Sequence, residues 1–246
     1  MSDKIPFTLR EPRYDPNTYW GRVFSLAEAS SVRYAFVRNA EVMRYYDILK
    51  AQEAREEKAM AATGSSKIML TAVEIEELRH ATNIVKAAIH PDTQKPIPMP
   101  MRITFFLPGN FPINLGFLFA PPTMFHTIFW QVINQTYNAI LNFGNANKSS
   151  PISASDIMTS YVMAVLASCS AGAAVRYVAR DVTARASGGR LLVLNGIVST
   201  VACAGGGFAN NWFIRQPEIK TGIAIRDPST DEIVGISRNC ARSAVL

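Results

Sequence analysis

Residues 129–146 read FWQVINQTYNAILNFGNA, and this stretch decides how the rest of the chain is interpreted. Four asparagines follow one another at steps of four, four and three residues, so they share one face of a helix. They are Asn134, Asn138, Asn142 and Asn145. Gln131 and Gln135 lie beside that stripe, and apolar residues cover the other side. Because a buried amide costs free energy unless it finds partners, the stripe indicates either a polar path or a tight polar packing seam.

The composition favours a membrane protein with one polar portion. The chain has 246 residues, of which 48% are hydrophobic and 18% are charged. Soluble proteins average about 25% charged residues. The mean hydropathy of +0.08 is high for a soluble protein. The net charge of +6 is dispersed along the chain. A nucleic-acid groove needs a concentrated basic stripe, so we expect no nucleic-acid partner.

The cysteines and the N-terminus exclude several other classes. Cys169, Cys203 and Cys240 are an odd number without CxxC spacing, so the sequence predicts neither a disulfide framework nor a zinc site. The first residues, MSDKIPFTLREPRYDP, contain acids and prolines and have no apolar signal core. We therefore expect no cleavable presequence.

A polar helical domain is predicted over residues 1–102. Residues 41–62 are rich in Glu, Ala, Lys, Arg and Met, which is typical of a solvated helix. A second helix is predicted over 71–89, because Thr71 and Glu74 have the spacing of a capping box. Both helices belong to this N-terminal domain.

The motif His90-Pro91-Asp92-Thr93 ends the second helix. Proline cannot continue a helix, and Asp-Thr readily forms a side-chain turn, so these four residues are interpreted as structural. The functional alternative is a catalytic or metal-binding His/Asp pair. No second histidine or carboxylate stands nearby at ligand spacing to support it.

A membrane domain is predicted over residues 103–214, followed by a polar C-terminal segment, 215–246, with a β-hairpin. Spans are expected near 103–122, 157–178 and 191–214. Prolines interrupt the first, which is therefore interpreted as kinked or partial. The Asn-rich amphipathic helix, 125–143, is expected to lie at the membrane interface or to face the interior of a bundle. The fold class is thus mainly α, with about three transmembrane helices.

The loop 176–190 indicates the orientation in the membrane. It contains four arginines and one acid. With three spans, this loop and the N-terminal domain lie on the same side, and the positive-inside rule assigns that side to the matrix or cytoplasm.

Several sequence blocks resemble the sideroflexin family over essentially the whole chain from about residue 13. These blocks are Arg13-Tyr14-Asp15, Trp20-Gly21-Arg22, His90-Pro91-Asp92-Thr93, Phe129-Trp130-Gln131 with Asn134-Gln135 and Asn138-Ala139, and Arg215-Gln216 with Glu218. The resemblance implies a mitochondrial inner-membrane protein of five spans that moves serine and related small neutral amino acids into the matrix. It also implies that the His90 and Arg215 motifs are structural features of the family.

Two departures from the family pattern stand out. Sideroflexins usually have Gly after the HPDT motif, where this chain has Gln94. They also carry two further spans after the segment that matches residues 241–244. A carrier needs two halves or repeats that move around a site. The sequence is therefore interpreted as a C-terminally shortened member whose missing spans are replaced by other inner-membrane subunits.

Two functions remain open at this point. In the first, the chain is a transporter whose amides bind the polar groups of a small neutral amino acid. These amides are Gln131, Asn134, Gln135, Asn138 and Asn210. In the second, the chain is an accessory subunit of a large inner-membrane complex, such as a respiratory-chain or ATP-synthase assembly, and the same amides bind neighbouring helices or the headgroups of membrane lipids. The sequence shows no Ser-His-Asp spacing, paired histidines or phosphate loop, so we expect no enzyme, cofactor or metal.

Overall fold

The computed structural model describes residues 4–145, 154–226 and 233–245. These residues form a mainly helical protein, as predicted. They divide into two compact units, each described here by itself. The N-terminal unit contains residues up to 108 together with Gly144 and Asn145, and the C-terminal unit contains 109–143 and the described residues from 154 onward.

The N-terminal unit combines a two-stranded sheet with three helices. Strands β1, Lys4–Phe7, and β2, Ile68–Thr71, pair antiparallel. The helices are α1, Tyr19–Ala29, α2, Asn39–Thr63, and α3, Ala72–Ala88. The sheet, α2 and α3 enclose one apolar core, and a second cluster lies between α2, α3 and the 3₁₀ turn Val32–Phe36. The predicted helices over 41–62 and 71–89 are confirmed.

The predicted capping box at the start of α3 is present in full. Thr71 Oγ1 accepts a hydrogen bond from the Glu74 backbone N–H at 3.3 Å. Glu74 Oε2 accepts in return from the Thr71 backbone N–H at 2.8 Å. Because the first turn of a helix leaves its N–H groups without internal partners, this exchange defines where α3 begins.

The HPDT segment forms a turn directly after α3. His90 is 5% exposed, and its Nδ1 accepts from the Asp92 backbone N–H at 3.2 Å. The turn closes at Gln94, whose φ of 54° lies in the left-handed region. Gly adopts that conformation without steric cost, which explains physically why a family would prefer Gly where this chain has Gln94.

Arg102 links separate segments of the N-terminal unit by hydrogen bonds, although no carboxylate pairs with it in the described residues. Its guanidinium is fully buried and donates to the carbonyl oxygens of Ile97 at 3.0 Å, Ala35 at 2.9 Å and Val37 at 2.7 Å. It also donates to Asn39 Oδ1 at 2.8 Å. Burial lowers the pKa of the Arg102 guanidinium, although arginine side chains remain protonated in proteins.

The C-terminal unit is built on long helices. It contains most of α4, Phe106–Phe119, and α5, Met124–Asn145. There follow α6, Ala154–Val178, the short α7, Arg180–Ala184, and α8, Gly188–Thr221. The predicted C-terminal hairpin is confirmed, since β3, Ile223–Arg226, pairs antiparallel with β4, Ile233–Ser237. Helix α9, Arg238–Val245, ends the described chain.

Two of the three expected spans have the length and apolar character needed to cross a membrane. Within the described residues these are Ser155–Val178 and Gly188–Phe213. The expected first span, 103–122, contains the shorter apolar stretch Ile103–Phe119. Its helix begins after a 3₁₀ turn and ends just before Pro121-Pro122, because proline cannot donate to the helical ladder.

Helix α5 buries its polar face and exposes its apolar one. Gln131, Asn134 and Gln135 are at most 7% exposed. Ile133 and Ile140, on the other side, are 38% and 37% exposed. In water this arrangement would be costly, whereas apolar side chains facing lipid and amides facing other helices are stable. Of the two predicted settings for this helix, the burial favours the interior of a bundle.

Candidate functional site

A thiol and two amides meet where α5 packs against α8, and we call Gln131, Asn134 and Cys203 the amide–thiol cluster. Asn134 Nδ2 donates to Cys203 Sγ at 3.6 Å. Gln131 Nε2 donates to the same sulfur at 3.8 Å, and the thiol lies 3.8 Å from Gln131 Oε1, to which it can donate. Sulfur is a weak donor and a weak acceptor, so these contacts occupy the amides only weakly. The cluster therefore keeps hydrogen-bonding capacity for a polar ligand.

Gln135 lies one turn further along α5 and packs against the backbone of α8. A Cβ added to Gly206 would collide with Gln135 Nε2 and would lie 2.8 Å from Ser168 Cβ. Only glycine therefore allows this close approach of α5, α6 and α8. The neighbouring Gly207 has nothing within 4 Å of such a Cβ. The glycine triplet thus serves helix packing at Gly206.

Asn138 and Asn210 lie on the same helix faces but outside the cluster. Asn138 follows Asn134 by one turn of α5, and Asn210 follows Gly206 by one turn of α8. Both are half-buried. In the described structure neither side chain forms a hydrogen bond with the amide–thiol cluster. Of the five predicted site residues, the structure therefore brings Gln131 and Asn134 together around Cys203, with Gln135 adjacent.

Asn195 has a role that the sequence analysis missed. It is 1% exposed on α8, and its Nδ2 donates to the carbonyl oxygens of Leu118 at 2.9 Å and Ala120 at 3.3 Å. The last carbonyls of a helix have no internal partner, and Pro121 prevents α4 from continuing. Asn195 supplies the missing donor. Its position inside the apolar run LLVLNGIV was the available signal.

Arg176 and Thr127 form a second buried polar contact, between α5 and α6. Arg176 Nε donates to Thr127 Oγ1 at 3.0 Å, and both residues are 6% exposed. Position 176 belongs both to the predicted span 157–178 and to the basic 176–190 loop. The structure places Arg176 in the last turn of the apolar helix α6. An ionisable residue within such a helix is itself a signal of function.

The remaining motif residues have local roles in their own elements. Arg215 Nε donates to Asn211 Oδ1 at 3.1 Å, and its Nη1 donates to Glu218 Oε2 at 3.2 Å, all within α8. Gln216 is half-buried beside them. In the described part of the chain no group of three His, Cys, Asp or Glu side chains could hold a metal ion.

Comparison with known proteins shows which family the sequence matches. A family model described as Sideroflexins matches residues 8–246. A sideroflexin of Saccharomyces cerevisiae is 31% identical over 240 residues, which cover 98% of this chain and 68% of that protein. Sideroflexin-5 of Homo sapiens is 29% identical over 245 residues, which cover 100% of this chain and 68% of that protein. Sideroflexin-2 of Homo sapiens is 28% identical over 240 residues, which cover 98% of this chain and 68% of that protein. No solved structure matches significantly.

Proposed function

The chain belongs to the sideroflexin family, and we propose that it transports serine or a related small neutral amino acid across the mitochondrial inner membrane. Family membership supports a transporter-like role in a mitochondrial membrane. We infer the substrate class from the amide–thiol cluster, whose two buried amides and half-buried thiol lie between long apolar helices and are polar and uncharged.

The chemistry of the cluster suits a small polar solute. Each amide offers donors and an acceptor, so Gln131 and Asn134 can bind hydroxyl, ammonium or carboxylate groups alike. A solute that replaces the weak sulfur contacts by hydrogen bonds to oxygen or nitrogen gains interaction energy. The amides are themselves neutral, so no charged group of the cluster has to be desolvated when the solute binds between apolar helices.

Cysteine protection tests the proposal at the cluster itself. In one variant of the full chain Cys203 is the only cysteine kept, and in its matched control Cys169 is kept instead. Both are reconstituted into liposomes and alkylated with a membrane-permeant maleimide. We expect serine to slow the alkylation of Cys203, which contacts both amides. Serine should leave Cys169 unaffected, because this thiol does not bond to the cluster in the described structure.

Uptake of labelled serine completes the test. We expect Gln131→Leu to abolish uptake, while Ile133→Leu, on the exposed side of α5, retains it. If the wild-type liposomes take up no serine and serine does not protect Cys203, the transport proposal is wrong.

A second function, that of an accessory subunit in an inner-membrane complex, is favoured by the packing of Gln135. This amide lies directly against Gly206 and Ser168, as a side chain in a helix-packing seam would. Other subunits would then be the partners of the chain. Substituting both Asn134 and Asn138 by Leu separates the two functions. The transporter loses uptake and keeps its fold, whereas the subunit loses its place in a large complex on a native gel of gently solubilised mitochondria.

The orientation is also a proposal, with the N-terminal unit on the matrix side. It is supported by the arginines of the 176–190 loop and requires the apolar stretch Ile103–Phe119 to cross the membrane. With three spans, Cys240, which is exposed in α9, then faces the intermembrane space. A membrane-impermeant maleimide should label it in mitoplasts. If Cys240 is labelled only after detergent is added, the protein has the opposite orientation.

A further inference from the structure

Arg176 is a buried cation with an unused hydrogen-bond donor. Its side chain is 6% exposed, and its Nη1 is buried without a partner in the described structure. No carboxylate of the described residues forms an ion pair with it. Holding an unpaired charge between apolar helices is costly, so such a group is retained where something else binds it.

Thr127 orients the guanidinium. Its hydroxyl proton is donated to the Thr123 carbonyl oxygen at 3.0 Å, so Thr127 Oγ1 receives the Arg176 Nε donor as an acceptor. This contact fixes one edge of the planar guanidinium and leaves Nη1 for another acceptor. Thr127 is therefore a positioning residue.

Arg176 lines a small cavity of the C-terminal unit. The cavity has a volume of about 10 Å³, which is room for roughly one water molecule, and its lining includes Arg176, Thr127, His126 and Ser199. His126 and Thr127 belong to the first turn of the 22-residue helix α5. The positive end of that helix dipole adds to the charge of Arg176, and both favour an anion.

We propose that Arg176 binds the carboxylate group of the solute that passes the amide–thiol cluster. A carboxylate matches the planar fork of a guanidinium, and charge-assisted bonds of this kind are strong. This inference deepens the proposed transport function and rests on it for the solute. The cavity must widen to admit the carboxylate, as expected of a carrier that alternates between states.

The spacing between Thr127, which contacts Arg176, and Gln131 of the amide–thiol cluster fits the size of an amino acid. Thr127 and Gln131 are one turn apart on α5, a rise of about 6 Å. Gly172, one turn before Arg176 on α6, lies between them, and a Cβ there would be 3.1 Å from Thr127 Cγ2 and 3.8 Å from Gln131 Cγ. A carboxylate on Arg176 thus directs the rest of an α-amino acid towards Gln131. The substrate class is a small solute that carries a carboxylate.

Two relatives of serine probe this subsite. Glycerate keeps the carboxylate and replaces the ammonium group by a hydroxyl, whereas ethanolamine lacks the carboxylate. The full chain in detergent is heated with each compound, because a ligand that binds only the folded state raises its unfolding temperature. We expect glycerate to stabilise the wild type, ethanolamine to have no effect, and Arg176→Met to abolish the response to glycerate.

Arg180→Met is the matched control. It removes the same charge one turn further on, from a side chain that is 62% exposed. The control should keep the response to glycerate. In liposomes, Arg176→Met should raise the half-saturating serine concentration by roughly ten- to hundredfold, the loss expected for a charge-assisted hydrogen bond. For Arg176→Lys we expect a half-saturating serine concentration between those of the wild type and Arg176→Met. The lysine variant takes the place of the methionine variant in the test if the latter does not fold.

The outcomes separate the two proposals. If glycerate does not stabilise the wild type, or stabilises Arg176→Met and Arg176→Lys as much as the wild type, the carboxylate subsite is overturned, even if serine is taken up. If glycerate stabilises the wild type and not Arg176→Met while no solute is taken up, the subsite stands and the transport proposal fails.

Discussion

Two buried arginines show how differently the two units use a charge. Arg102, in the N-terminal unit, donates to three backbone carbonyls, those of Ala35, Val37 and Ile97, and to the side chain of Asn39. Arg176, in the C-terminal unit, forms within the described residues a single hydrogen bond, to Thr127, and its Nη1 has no partner there. Neither has a carboxylate partner among the described residues. A charge that is surrounded by acceptors serves the fold, whereas a charge left with free donors is available to a ligand.

The largest expected effect tests this comparison directly. Arg102→Met leaves several buried carbonyls without donors, so we expect the opening free energy of the N-terminal unit to fall by about 3–5 kcal/mol. Arg176→Met removes an unsatisfied cation and should change the stability of the C-terminal unit by less than about 1 kcal/mol. Hydrogen exchange of the full chain in detergent, followed in peptides of each unit, measures both. Equal losses in the two variants would contradict the distinction.

The second prediction concerns the packing that holds the amides in place. Gly206→Ala places a methyl group against Gln135 and Ser168, and we expect a loss of about 1–3 kcal/mol in the C-terminal unit. Gly207→Ala is the matched control, because its methyl group meets no atom within 4 Å. It should be neutral or stabilise α8 by up to about 1 kcal/mol. Thermal unfolding in detergent distinguishes the two variants. If Gly206→Ala is tolerated as well as Gly207→Ala, the contact of Gly206 with Gln135 and Ser168 is not tightly packed.

The features predicted correctly from sequence are those decided by local rules. The capping box at Thr71 depends on residues three positions apart, and the amide stripe of α5 depends on the helical period alone. Both were readable without knowing the fold. The C-terminal hairpin was readable for the same reason, since alternating apolar residues flank a polar turn.

The features that were missed depend on which helices become neighbours. Arg176 was counted with a basic loop because counting charges does not reveal burial. Asn195 and Cys203 belong to apolar runs, and only the approach of α8 to α4 and α5 gives their polar atoms a partner. The role of Gly206 within a glycine triplet likewise follows from the position of Gln135 on another helix.

The third prediction tests whether the well-bonded N-terminal unit also contains strain. Gln94 has a φ of 54°, which is unfavourable for any residue with a Cβ. Its side chain accepts a hydrogen bond from the Tyr46 hydroxyl at 2.9 Å. Gln94→Gly and Gln94→Ala both lose that bond, but only glycine relieves the backbone. We expect the glycine variant to be about 1 kcal/mol more stable than the alanine variant by hydrogen exchange of α3. Equal stabilities would show that the turn is unstrained.

The smallest expected effect is a pH dependence in the N-terminal unit at the start of α3. Hydrogen bonds from the backbone and hydroxyl of Thr71 lower the pKa of Glu74 below its ordinary value of 4.5. Because the folded pKa is the lower one, this carboxylate stabilises the fold above pH 4.5 and the contribution is lost as the pH falls through the folded value. Glu74→Gln should therefore reduce the loss of stability on acidification, measured by hydrogen exchange in the first turn of α3. Glu77→Gln removes a carboxylate from the same helix without touching the cap, and it should leave that loss unchanged. If both variants reduce it equally, the cap is not the source of the pH dependence.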